Sequence, residues 1–290
     1  MLKPKLLILV EGEFWFNLMR EVKKIGGSIA LTSGRVSKKS MKYYLLFPTF
    51  SRSLFEKIDH FLLQSKIHTS RFLNLGVPIE KIIVTGNLKF DIATSTPKDS
   101  SILQQTLNLR KEDLVITLAS THNREEELLI QALLPLQHTY PHLKLLIAPR
   151  HTQRFAKVKQ LVANYSHVIV IDKMGILSQC YQISDLAIVG GSFVKDVGGH
   201  DIFEPIKAGT PTLFGPFMHK QEDLVELVTN SGSGKMVSLD ELLSTVQELF
   251  SRRQQLITMQ KKGTQLTTQV MGSALRTWQH LNSLCNTPRP

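Results

Sequence analysis

The stretch DLAIVGGSFVKDVGGHDIFEPIKAGTPTLFGP, residues 185–216, sets two short apolar runs, 185–191 and 211–215, around a segment crowded with glycine and charge. Each run has the length of a strand buried on both faces, and strand, crossover and strand are the repeating unit of a parallel sheet. In open parallel sheets, ligands sit beyond the carboxyl ends of the strands. The polar residues here stand at such an end. Gly190 and Gly191 would let backbone N–H groups approach a ligand closely, and Gly198 and Gly199 would do the same before a helix starting near Asp201. A helix amino terminus presents free N–H donors and partial positive charge, so a phosphate is a candidate occupant. Asp201 and Glu204 equally fit a capping box that needs no ligand. Both readings can hold together, with Glu204 available to ribose hydroxyls.

The same alternation runs outward in both directions. KLLILV (5–10), SIALT (28–32), HFLLQS (60–65) and KIIVTGN (81–87) read as strands, with helices over about 14–25, 37–57 and 66–76 between them. A polar, aperiodic stretch, ATSTPKDSS (93–101), marks a linker. A second series follows: LVITLAS (114–120), KLLIAP (144–149), HVIVI (167–171), then the two runs already quoted. Beyond residue 239 the pattern is only helical. The prediction is an α/β chain of two Rossmann-like domains facing each other: a partial one over 1–92, a linker over 93–110, and a full one with terminal helices over 111–290. The first series is short, and the chain enters a core strand almost at once, so its start reads as cut.

Composition narrows the function. Of 290 residues 42% are hydrophobic and 20% charged, a globular balance, and the net charge of +11 points to an anionic partner. Nucleic acid is disfavoured, because aromatics are only 7% and sit mostly in apolar runs. The two cysteines, Cys180 and Cys285, lack metal-ligand spacing, no HExxH or paired zinc spacing exists, and neither a metal nor a cofactor is expected. GxxxxGK[ST], strand-linked GxGxxG, DxD and GxSxG are all missing.

What immediately follows each apolar run is more informative. After 114–119 come Ser120, Thr121 and His122; after 144–148, Pro149, Arg150 and His151; after 167–171, Asp172, Lys173, Met174 and Gly175; after 185–189, Gly190, Gly191 and Ser192. Any one of these fits a cap or a turn, but four on one edge favour a ligand site. Arg150 and His151 stand where a phosphate would meet a guanidinium fork. In the first series Glu11, Arg35 and Lys89 also follow strands, each with a capping or solvated-surface alternative.

Taken together, VEGEFWFNL, GRVSKKS, VTGNLKFD, ASTH, APRH, DKMGIL, GGSFV, GGHDIFEP and LFGP resemble, in this order, the 3-deoxy-D-manno-octulosonic acid (Kdo) transferases, chlamydial-type members above all. The resemblance implies the GT-B glycosyltransferase fold, with its first domain incomplete here, and inverting transfer of Kdo from CMP-Kdo to the lipid A precursor of lipopolysaccharide. It places CMP on Pro149, Arg150, Met174, Gly175, Ile176 and the segment Asp201, Ile202, Phe203 and Glu204. Ser120, His122, Gly190, Gly191, Ser192, His200 and Arg35 are expected as further substrate contacts from their places at and after the strand ends. Glu11 and Lys89 match residues held to stabilise the transition state. It also implies work at the cytoplasmic face of the bacterial inner membrane, as a peripheral or soluble protein touching an anionic surface. Asp201 departs from the family's Asn, and a carboxylate beside phosphate is repulsive unless neutralised. The family's amino-terminal segment, with its membrane anchor and the Glu proposed as base, has no counterpart here. The alternatives are a remnant that binds CMP or CMP-Kdo without transfer, and a GT-B enzyme using another nucleotide sugar.

Overall fold

A computed structural model describes residues 3–92 and 97–286. The chain divides into two compact units, Met1–Ile92 with Val270–Pro290, and Ala93–Gln269.

The first unit is built on a four-stranded parallel sheet of order β1-β2-β3-β4, made of Leu6–Val10, Ser28–Gly34, His60–Leu63 and Ile82–Val84. One face packs on helix residues Met19, Val22, Leu54, Phe55 and Phe72. Phe55 meets Phe72 edge-on at 5.7 Å, the arrangement aromatic quadrupoles prefer. The other face carries Ala30 and Leu62, and Leu281 of the helix Ser273–Asn286 covers them. Asp91 holds that helix in place by accepting from the Gly272 and Ala274 N–H groups at 2.7 and 2.5 Å. The terminal helix therefore belongs to the first unit, not to the second as predicted. An apolar sheet face has to be covered, and this segment covers it. The single helix expected over 37–57 is two, Lys38–Leu46 and Pro48–Phe55, because Pro48 cannot continue the first and starts the second.

The second unit has a six-stranded parallel sheet of order β10-β9-β8-β5-β6-β7. Its strands are Leu114–Thr121 (β5), Leu143–Pro149 (β6), Val168–Val170 (β7), Leu186–Val189 (β8), Thr212–Phe214 (β9) and Gly234–Met236 (β10). The strands are continuous apolar runs because helices cover both faces. Ile116, Leu118, Ile147, Ile188 and Leu213 are fully buried in one cluster, and truncating any one to Ala should cost about 2–5 kcal/mol. β10 escaped sequence reading: it has three residues, two of them exposed at the sheet edge, so neither run length nor alternation betrays it.

The predicted linker is mostly structured. Residues 93–96 lie outside the described ones, but Pro97–Thr106 is a helix, and its Leu103 packs with Val115, Leu146, Ile171 and Cys180 of the second unit. The strand order fixes where a site can form. The chain runs outward from β5 to β7, then returns to place β8 on the other side of β5. In open parallel sheets such a reversal is where a ligand crevice forms, here beyond the carboxyl ends of β5 and β8.

Candidate functional site

In the first unit the three strand-end residues meet. Glu11, at φ 57° just past β1, binds Arg35 Nη2 at 3.0 Å and Lys89 Nζ at 2.5 Å. The backbone sets the pairing, since Arg35 N–H donates to the Glu11 carbonyl. Arg71, donating to the Val36 carbonyl at 2.8 Å, anchors the loop that carries Arg35. Burial raises the Glu11 pKa, but Lys89 and Arg35 together outweigh it and hold the carboxyl below its ordinary value. A carboxylate so neutralised is a poor base and a good electrostatic partner.

In the second unit, the ends of β5, β6 and the loop after β8 bring three histidines together. His122 and His200 stack with ring centroids 5.0 Å apart and share a hydrogen bond between their Nε2 atoms at 2.7 Å. The His151 ring meets His122 edge-on at 5.2 Å. Burial, then repulsion from His122, Arg150, His151 and Lys220, takes the His200 pKa down to about 4. His122 is lowered by burial and by His151, Arg150 and Arg154. Arg150 is exposed, and its charge is felt by His122, His200 and Glu204 alike. Burial and the neighbouring Asp201 take the Glu204 pKa up to about 7, against the pull of Arg150 and Lys207. The crevice thus holds a cationic and hydrogen-bonding wall, with one acid that gives up its charge readily. Among the described residues, no group of three or more His, Cys, Asp and Glu could hold a metal ion.

Several predicted contacts turn out to be committed elsewhere. The Gly190 N–H donates to the Ala119 carbonyl at 2.7 Å, and that of Gly191 to Glu125 Oε2 at 2.7 Å, so neither is open to a ligand. Gly190 is required because a Cβ there would lie 2.7 Å from Glu125 Oε2 and 2.9 Å from Thr121 Cα. Ser192 is buried, and its hydroxyl donates to the Val189 carbonyl and accepts from the Gly215 N–H, stitching two loops together. The predicted anion site before residue 201 is occupied as well. Asp201 Oδ1 accepts from the Phe203 and Glu204 N–H groups at 2.8 and 3.2 Å, and the helix that follows, Phe203–Lys207, has five residues. Asp201 is therefore a cap, and the reciprocal half of a capping box is not formed. Ile202 and Phe203 are core side chains, 0% and 2% exposed. Pro149 is buried at the end of β6, where Arg150 N–H bonds the Thr121 carbonyl. Ser120 sits at φ 51° in a bulge of β5. Met174 and Gly175 are exposed beyond β7, whereas Ile176 packs against the core.

Sequence reading missed two acids that build the site. Glu125 and Glu126 begin the helix after β5 and are fully buried. Glu126 takes a two-point ion pair from Arg154, Nε to Oε1 at 3.0 Å and Nη2 to Oε2 at 2.9 Å. Three acids in the first turn after a strand end, EEE at 125–127, were the available signal.

Two parallel α/β units of this design are those of GT-B glycosyltransferases, and this chain is one. The structure aligns over 97% of its length with Anabaena HepE in complex with UDP, covering 79% of that chain, at a TM-score of 0.64 and 14% identity. The C-terminal CMP-Kdo binding domain of WaaA from Acinetobacter baumannii aligns over 58% of this chain and 96% of its own, at a TM-score of 0.54 and 24% identity. The family described as 3-deoxy-D-manno-octulosonic-acid transferase (kdotransferase) matches residues 1–92. A 3-deoxy-D-manno-octulosonic acid transferase from Chlamydophila psittaci is 31% identical over 96% of this chain and 67% of its own length. One from Aquifex aeolicus is 29% identical over 88% of this chain and 68% of its own. The chain belongs to the 3-deoxy-D-manno-octulosonic acid transferase family.

Proposed function

We propose that this chain transfers Kdo from CMP-Kdo to the lipid A precursor of lipopolysaccharide, with inversion at the anomeric carbon. The observation that carries the reading is the convergence of Arg150, His122, His151, His200 and Glu204 at the carboxyl ends of β5, β6 and β8. In this reading Arg150 holds the CMP phosphate, the histidines donate to its remaining oxygens, and Glu204 takes the ribose hydroxyls. Met174, Gly175 and Ile176 flank the base. As the anomeric C–O bond to the phosphate breaks, its electron pair leaves with CMP, whose growing charge falls on the guanidinium and the histidines. The acceptor hydroxyl oxygen bonds the anomeric carbon from the opposite face and releases its proton to water. The sugar turns oxocarbenium-like. In the first unit Glu11 pairs with Lys89 and Arg35, and Glu11 and Lys89 are assigned to stabilising the transition state, since charge held in place needs no reorganisation as the reaction proceeds. Glu11, with its lowered pKa, is unsuited to accept the acceptor's proton.

An acceptor embedded in a membrane fits a feature of the first unit. The helices Lys38–Leu46 and Pro48–Phe55 expose Tyr43, Leu46, Phe47 and Phe50 beside Lys39, Lys42 and Arg52. Apolar side chains interleaved with cations suit an anionic lipid interface. Among the described residues no helix is long and apolar enough to cross a membrane.

Calorimetric titration with CMP and with UDP, and transfer of labelled Kdo from CMP-Kdo to lipid A precursor, test the proposal. CMP should bind in preference to UDP, and Arg150→Ala should weaken CMP by about 1.5–3 kcal/mol, the range for charge-assisted bonds. Equal affinity for UDP, or an unchanged Arg150→Ala variant, would refute the donor assignment. CMP binding without transfer would reduce the chain to a binding module.

A further inference from the structure

We infer that Glu125 is a positioning residue of the donor site: its carboxylate fills the amide nest at the β5–β8 reversal and so fixes the His122–His200 pair above it. The function assigned to that pair rests on the nucleotide-sugar reading, while the geometry does not. Glu125 Oε2 accepts from the His122 N–H at 3.1 Å and the Gly191 N–H at 2.7 Å, and Oε1 accepts from the Phe193 N–H at 3.0 Å. One of these amides lies on the β5 loop and two on the β8 loop. The carboxylate thus bridges the two loops beneath the histidines, next to the Gly190 N–H bond to the Ala119 carbonyl. His122 rides on the first loop. His200 lies against the second, close enough to Gly191 that a Cβ there would meet its Cδ2 at 2.7 Å.

Three convergent amides are the usual means by which a backbone holds an anion. Here the chain supplies the anion itself. A ligand phosphate is thereby excluded from the nest and raised toward the His122, His200 and Arg150 side chains. The glycines shape the floor, and the side chains above make the contacts. Burial raises the Glu125 pKa while its three amide donors oppose that rise. A glutamine cannot replace it: the amide offers one oxygen, and its NH2 would face an N–H donor on one of the two loops. That loop would have to move, carrying one histidine with it.

Histidine and backbone NMR on the full chain tests this, with CMP as the probe. In the native protein CMP should shift the His122 and His200 ring signals and leave the Gly191 and Phe193 amides unshifted and slow to exchange. Glu125→Gln should move the His200 midpoint from about 4 part of the way toward 6.5, as the ring loses burial and contact with His122 while Arg150, His151 and Lys220 remain around it. CMP should weaken about tenfold or more, the loss expected from one charge-assisted bond. A folded Glu125→Gln variant with native histidine titration overturns the inference. So does a CMP-dependent shift of the Gly191 and Phe193 amides, which would mean that phosphate displaces the carboxylate. That native-protein measurement decides the matter if the variant fails to fold. If CMP does not bind at all, the donor reading fails, and the histidine titration of the variant still tests the positioning role.

Discussion

Glu204 and His200 are perturbed in opposite senses, and this makes a sharp prediction about stability. The Glu204 value rises from 4.5 to about 7, and that of His200 falls from 6.5 to about 4. Glu204 binds its proton more tightly when folded, so its contribution is fully present below pH 4.5 and is lost as pH rises toward 7. His200 binds its proton less tightly when folded, so its contribution is present above pH 6.5 and is lost as pH falls toward 4. Between pH 4.5 and 6.5 both are in play. Near pH 5.5 the unfolded chain holds about 0.9 proton more than the folded one at His200 and about 0.9 fewer at Glu204, so the two slopes cancel. Each slope alone is about 1.2 kcal/mol per pH unit, from 1.36 kcal/mol per unit of pKa. Glu204→Gln removes one of them. Relative to the native chain it should gain about 2 kcal/mol from pH 4.5 to 6.5 as an upper bound, and on the order of 1 kcal/mol once solvent screening of these half-buried groups is included. His200→Gln should show the opposite trend, and the double variant should run parallel to the native chain. Urea unfolding at half-unit pH steps measures all four. A Glu204→Gln curve parallel to the native one across that window would mean that Glu204 titrates as an ordinary surface acid, and the desolvation reasoning would fail.

Two further outcomes probe the rest of the molecule. Lys89→Ala should lower turnover in Kdo transfer while leaving CMP affinity nearly intact, because Lys89 pairs with Glu11 in the first unit and CMP is assigned to the second; parallel loss in rate and in calorimetric affinity would contradict that division. Arg154→Ala should destabilise the fold by about 3–5 kcal/mol by stranding the Glu126 carboxylate, which is 1% exposed, and a thermal melt within a degree or two of the native one would show that the ion pair is dispensable.

Much of this was legible in the sequence. Each of the nine apolar runs became a strand in its predicted place, because a parallel strand covered on both faces has to be apolar along its length. The carboxyl-end rule picked out Glu11, Arg35 and Lys89, which meet in the first unit, and His122 and His151, whose rings meet in the second, without any knowledge of the strand order. What stayed hidden depended on contacts between distant positions. That residues 273–286 cover the first sheet is decided by a bare face at Ala30 and Leu62, which no local pattern records. The helix at 97–106 opens with Pro and polar residues, and only Leu103 shows that it is docked.

The glycine loop is the instructive failure. The composition of GGSFVKDVGGHD correctly announces backbone that comes close to something negative, but the sequence does not say whether that partner is a ligand or the chain itself. Here it is the chain twice over: Glu125 on Gly191 and Phe193, and Asp201 on Phe203 and Glu204. Two internal carboxylates take the main-chain donors, and an added phosphate then finds no free amides in the nest and mutual repulsion beside Asp201. The groups left to receive it are side chains: the Arg150 guanidinium, and His122 and His200, which carry little charge at neutral pH and share a hydrogen bond. An arriving dianion would favour protonation of that pair, since it replaces the repulsion from Arg150 and His151 with attraction. Donor binding should therefore take up protons near neutral pH. Calorimetric titration with CMP in two buffers of different ionisation enthalpy measures this uptake, and a binding enthalpy independent of the buffer would show that the histidines do not receive the phosphate.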